Sequence, residues 1–197
     1  MKKICFAVLA LLLTGTISGC GIRAIPQSKN NVEAALAEIN NQYKRRADLI
    51  PNLVNAVKGY ASHEAKTLEA VVAARAKATA ITLDPSKATP QQLQQYQEAQ
   101  GQLSQALGKL MMVSEQYPNL KADANFRDLQ AQLEGTENRI TVARNRYIES
   151  IKGFNDLVSV PPESFVNMIF YRHEKMPQWD MSAEEKAQAE KPPEVKL

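Results

Sequence analysis

Histidine, cysteine, glycine and aromatic residues are all scarce in this chain of 197 residues: two His, two Cys, eight Gly, and Phe, Trp and Tyr together at 6%. With only His63 and His173 as imidazoles, the helical zinc motif fails, because Thr67 stands where its second His is required. The paired Glu-x-x-His ligands of a di-iron bundle fail as well, since Tyr60 and Phe170 stand three residues before the two histidines. No Gly-rich phosphate loop is present, and no serine sits in a nucleophile elbow. Charge of one sign is lacking too. Lys and Arg number 24 against 21 acidic residues, so no basic stripe displaces counterions from a nucleic acid. Low glycine disfavours an all-β chain with many tight turns and leaves an all-α domain as the expectation.

Long hydrophobic runs are limited to one. Met1-Lys2-Lys3 is a short basic start, Ile4 to Leu13 is unbroken apolar sequence, and small polar residues follow to Gly19. Ten helical residues reach about 15 Å, half of the roughly 30 Å hydrocarbon layer, which marks a signal-peptide core rather than a membrane span. The string Ile17-Ser18-Gly19-Cys20 resembles a bacterial lipobox, which predicts cleavage before Cys20 and its acylation by chains such as palmitate. Several acyl chains suffice for stable anchoring. Gly21 after the cysteine favours the outer membrane; the alternative is an inner-membrane protein that keeps its N-terminal segment as an anchor. Removing Cys5 with the signal leaves no intrachain disulfide, so packing alone must hold the fold.

Residues 20–30, with Pro26, read as a lipidated cysteine and tether, 31–175 as a helical domain, and 176–197 as a charged, disordered tail. Val32, Leu36, Ile39, Tyr43, Ile50, Leu53 and Val57 step by threes and fours. The seam keeps its phase across Pro51, which predicts a kink or break there and a turn near Gly59, with Ser62 as a cap. A second helix runs to about Thr82, and Thr89 opens a third, Gln-rich and coiled-coil-like, which stops at Tyr117-Pro118. The last helix runs from Phe126 to Val160 and is closed by Pro161-Pro162. Phe165 to Phe170 is apolar enough to pack back onto the helices. Trp179 is either a docked latch or a partner-binding residue.

Arg46, Glu64 and Arg75 occupy slots where the helical phase expects apolar residues, and Glu137, Asn138, Arg139 and Arg144 interrupt the seam of the last helix. If the two halves face each other, Glu137 pairs with Arg46 or Arg75. Such buried pairs set helix register more than they add stability. The competing reading is a groove for a polar ligand or partner. His63 beside Ser62 suits a helix start better than a catalytic dyad.

The block from Lys44-Arg45-Arg46-Ala47-Asp48-Leu49-Ile50-Pro51-Asn52-Leu53-Val54 through Val57-Lys58-Gly59-Tyr60 to His63-Glu64 resembles the signature of the LemA family of bacterial membrane-associated proteins. Gln116-Tyr117-Pro118-Asn119-Leu120, Asn125-Phe126, Thr136-Glu137-Asn138-Arg139-Ile140 and Ala143-Arg144 agree in the second half. The resemblance implies an antiparallel four-helix bundle held at a membrane on the extracytoplasmic side, with no established catalysis. Two departures stand out: a lipoprotein-type signal replaces the usual retained span, and Val160-Pro161-Pro162 and Ile169-Phe170-Tyr171 replace the usual elements after the last helix. The expected function is therefore a non-catalytic interaction or scaffold module at the cell envelope, without cofactor or metal and with no nucleic acid among its partners. The alternative is a sensory module that takes a small polar or envelope-derived ligand between its helices. In either case Arg45, Arg46, Asp48, Asn52, His63 and Glu64, with Glu137, Asn138, Arg139 and Arg144 opposite, form the candidate surface.

Overall fold

The computed structural model describes residues 2–85 and 87–179, with side chains from residue 22 onward. Cys20 as a modified side chain and the tail beyond Trp179 lie outside the described residues. Within them the chain is all-α: α1 (Lys2–Tyr60), α2 (Ala65–Ala80), α3 (Pro90–Ser114), α4 (Pro118–Ala122), α5 (Ala124–Ser159) and α6 (Glu163–Val166), followed by a π-helical turn (Asn167–Tyr171). Four of these are long, and α4 and α6 are a single turn each.

The described residues form two compact units: 2–36 with Asn145–Gln178, and Ala37–Arg144 with Trp179. In the second, the seam predicted from the sequence is the core. Ile50, Leu53 and Val57 of α1 meet Leu68 and Val71 of α2, Leu103, Leu107 and Leu110 of α3, and Phe126, Leu129 and Leu133 of α5. Each such side chain contributes about 1.5–3 kcal/mol on burial. In the first unit Ile25, Val32, Ile151, Phe154 and Val158 are buried.

The proline in α1 does not break it. Helical structure continues through Pro51 to Tyr60, because the apolar seam stays buried on both sides while Pro51 itself faces solvent. A helical proline still leaves the carbonyl four residues earlier without its N–H. Here that carbonyl belongs to Ala47, and Arg75 Nε of α2 donates to it at 2.8 Å. Pro26 repeats the arrangement: the segment read as a tether is helical in α1, and the Ile22 carbonyl accepts the Tyr171 hydroxyl at 2.7 Å.

Helix ends follow local chemistry. Thr89 and Gln92 form a reciprocal capping box at the start of α3, with Thr89 Oγ1 accepting from the Gln92 N–H at 3.2 Å and Gln92 Oε1 accepting from the Thr89 N–H at 3.0 Å. Ser62, expected to cap α2, is exposed and does not. The turn closes through the Glu64 N–H and the Ala61 carbonyl, Ala61 is fully buried, and Glu64 occupies the cap position. Asp123 opens α5, its Oδ1 accepting from the Phe126 N–H at 2.9 Å and its Oδ2 from the Tyr60 hydroxyl at 2.9 Å.

The Phe126 amide, and next the Tyr60 hydroxyl, hold the Asp123 carboxyl below the usual carboxylate range. A carboxyl with a folded pKa below its unfolded one stabilises fully above the unfolded value, about 3.9 for Asp, and loses that contribution as pH falls through the folded value. Urea midpoints measured at neutral pH and below about pH 3 are expected to fall less in Asp123→Asn than in the parent chain. An identical fall in both would show that this cap does not contribute to acid sensitivity.

Phe165 to Phe170 does not pack back as expected. Phe165, Met168, Ile169 and Phe170 are 57–64% exposed, and Asn167 is the buried residue of the turn. Its amide is needed inside: Nδ2 donates to the His173 carbonyl at 2.9 Å, and Oδ1 accepts from the His173 N–H at 2.9 Å. Facing Asn167 inward turns its apolar neighbours outward. The chain then extends past Met176, where the tail was expected to begin, with Asn155 bonded to both the N–H and the carbonyl of Met176.

Candidate functional site

Arg46 is the largest fully buried side chain, with no exposed surface. Taking a guanidinium out of water is tolerable only if its protons are answered. Nη1 donates to Glu137 Oε1 at 2.8 Å and to Ser104 Oγ at 2.7 Å, and Nη2 donates to Gln100 Oε1 at 2.6 Å and to the Gln100 carbonyl at 3.2 Å. Among the described residues Nε has no hydrogen-bond partner, and the group lies 5.0 Å from the Tyr43 ring centroid, where the π face faces the cation. Gln100 is oriented by its own donation to the Ala78 carbonyl at 3.3 Å. One arginine of α1 therefore ties α3 to α5, and through Gln100 to α2. Of the two partners expected for Glu137, the structure selects Arg46, because Arg75 is engaged with the backbone at Ala47.

A second layer surrounds Tyr43. Its hydroxyl accepts from Arg144 Nε at 3.0 Å and Nη2 at 2.8 Å, and its ring meets Tyr96 edge-on at 5.4 Å. Burial pushes the Tyr43 hydroxyl pKa up, against the opposing pull of the Arg144 cation. Burial raises the Tyr96 hydroxyl as well. Arg144 also lies over the Trp179 ring, 5.7 Å from its centroid.

Beside this network opens a cavity of about 350 Å³. Tyr43, Tyr96 and Gln100 form its wall on the network side, Asn40, Lys44 and Asp48 line it from α1, and Ile81 to Leu83 close it from the loop after α2. Asn40 Nδ2 donates to the Leu83 carbonyl at 3.3 Å, which leaves Asn40 Oδ1 shielded from water without a partner among the described residues. A shielded amide oxygen without a donor is costly. The lining thus sets a cation, Lys44, and an anion, Asp48, beside the aromatic wall of Tyr43 and Tyr96.

The sequence-predicted residues divide. Arg46, Glu137 and Arg144 come together in the network; Asp48 lines the cavity mouth; Glu64 is half-buried and accepts the Tyr117 hydroxyl at 3.0 Å. Arg45, Asn52, His63, Asn138 and Arg139 are exposed and do not join them. Tyr43, Tyr96, Gln100 and Ser104 were not singled out from the sequence. The tyrosines read as ordinary seam residues, and Gln100 is one of several glutamines in α3 with nothing local to distinguish it.

Among the described residues no group of three His, Cys, Asp or Glu side chains could hold a metal ion, and no helix is long and apolar enough to cross a membrane. In comparisons with known proteins, the LemA family model matches residues 35–197. No curated protein matches the chain.

Proposed function

The chain belongs to the LemA family, and we propose that it is a membrane-anchored, non-catalytic module of the bacterial cell envelope that takes a small polar molecule into the cavity beside Arg46. We read α2 and α3 with the adjoining parts of α1 and α5 as an antiparallel four-helix bundle, since each of these helices is joined to the next by a connection too short to return along it and the Arg46 network links all four. The cavity carries the functional reading. Its volume of about 350 Å³ falls in the range of small-ligand sites. Lys44 and Asp48 flank the opening with opposite charges, which suits a zwitterionic molecule.

Melting the full chain with amino acids, short peptides and polyols tests it. A compound that binds only the folded state at a hundredfold excess over its Kd adds about 2.7 kcal/mol of stability. One chemical class is expected to raise the melting temperature, and a folded Lys44→Ala variant is expected to lose that rise. No rise with any compound at millimolar concentration would refute the ligand reading.

A docking role has its own support in the exposure of Arg45 and Asn52 on α1 and of Asn138 and Arg139 on α5. Photo-crosslinking in cells from Asn52 and Arg139 tests that role, with capture of one envelope protein from both positions as the supporting result.

A further inference from the structure

The turn after α5 is built inside out. In α6 and the π-helical turn the buried side chain is an asparagine, while Phe165, Met168, Ile169 and Phe170 stand 57–64% exposed. Asn167 is held by both backbone groups of His173 and by the Val158 carbonyl, so the outward set of the apolar residues is fixed by hydrogen bonds. Phe165, Met168 and Ile169 share one face at helical spacing. Exposed apolar residues gathered in one turn, rather than scattered singly, mark an interaction surface.

Ile22, near the start of the same unit, meets this turn. Tyr171, the last residue of this turn, donates its hydroxyl to the Ile22 carbonyl at 2.7 Å. That bond holds the turn two residues from Cys20, the expected acylation site, and about two and a half helical turns from the end of the apolar run if the N-terminus is retained. Ile22 is itself 40% exposed. Arg23 follows Ile22 and Arg172 follows Tyr171 in the chain, and both are exposed, so basic residues adjoin the contact on each segment, as suits a surface that meets anionic headgroups. Aromatic and aliphatic residues on one face with basic residues beside them are the composition of an interfacial membrane element.

We propose that Phe165, Met168, Ile169 and Phe170 insert into the lipid bilayer beside the N-terminal anchor, forming a second point of membrane contact. The inference rests on the anchored reading of the chain. With two contacts the domain is held at a defined orientation to the membrane instead of swinging on a tether, and the exposed apolar surface is covered by acyl chains.

The test uses the full chain purified from cells and reconstituted into phosphatidylcholine and phosphatidylglycerol vesicles with bromine on the upper acyl carbons. Phe170→Trp and Ile169→Trp, each in a Trp179→Phe background, serve as reporters, with helix content checked by circular dichroism. An interfacial element lies about 5–10 Å into the boundary, so severalfold quenching by the brominated lipid and protection from aqueous acrylamide are expected for both reporters. A chain that does not float with the vesicles would overturn the anchored reading and this proposal together. A floating chain whose reporters are quenched by acrylamide and not by bromine would overturn the proposal alone. Reporters shielded from both quenchers would also overturn it, and would show that protein, the chain's own tail or a second copy, covers the turn.

Discussion

Replacing Glu137 by alanine is expected to lower the unfolding free energy by about 3 kcal/mol, near the bottom of the usual range of about 3–5 kcal/mol for deleting one partner of a buried ion pair. The lower end applies because the two partners are buried unequally: the Arg46 side chain has no exposed surface, and the Glu137 side chain is 42% exposed. Water can enter where the carboxylate stood and answer one face of the guanidinium. The rest of Arg46 stays enclosed by Gln100, Ser104 and Tyr43, with a positive charge and no anion. Arg46→Met acts differently. It leaves Glu137 free to hydrate, and the loss comes from the stranded Gln100 Oε1, about 1–3 kcal/mol, together with packing against the Tyr43 ring. The double variant Arg46→Met with Glu137→Ala is therefore expected to be destabilised by clearly less than the sum of the singles, as residues in one network are. Urea denaturation of the four proteins gives all the terms. A sum equal to the double would show that the two residues stabilise the fold independently, contrary to the 2.8 Å contact.

What could be read from the sequence here was what repeats. Apolar residues at steps of three and four placed the seams of α1, α3 and α5, and Thr89, Tyr117-Pro118 and Pro161-Pro162 marked ends within one to three residues. The Arg46–Glu137 pair was legible for a related reason, since charges in apolar phase must find each other. Gln100 and Ser104 were not, because a polar residue that serves a partner from another helix looks locally like any solvated one. Phe165 to Phe170 misled in the opposite direction: hydrophobicity predicts burial, but the hydrogen-bonding demand of Asn167 sets which face of that turn is inside. The cavity could not be anticipated, because it lies where the loop after α2 crosses α1, and loop paths carry no periodicity.

The remaining large effect concerns Pro51. A proline within a helix should cost about 3 kcal/mol or more, from a clash and a lost hydrogen bond, yet α1 runs on to Tyr60. The Arg75 guanidinium supplies the lost bond by donating to the Ala47 carbonyl at 2.8 Å from α2. Ala47 is 4% exposed, so water has little access to that carbonyl if Arg75 is removed. Arg75→Leu is expected to destabilise by about 1–3 kcal/mol, the penalty for stranding a buried acceptor. In a Pro51→Ala background the same change should lose most of its effect, because the alanine N–H closes the ordinary helical bond to Ala47. The second site provides the comparison of magnitude. Tyr171→Phe strands the Ile22 carbonyl beside Pro26, but Ile22 is 40% exposed and water substitutes, so a smaller loss is expected there. If Arg75→Leu were equally harmful with proline or alanine at position 51, the guanidinium would be stabilising the unit through packing or charge. The contact with α1 would then not be the reason the helix survives its proline.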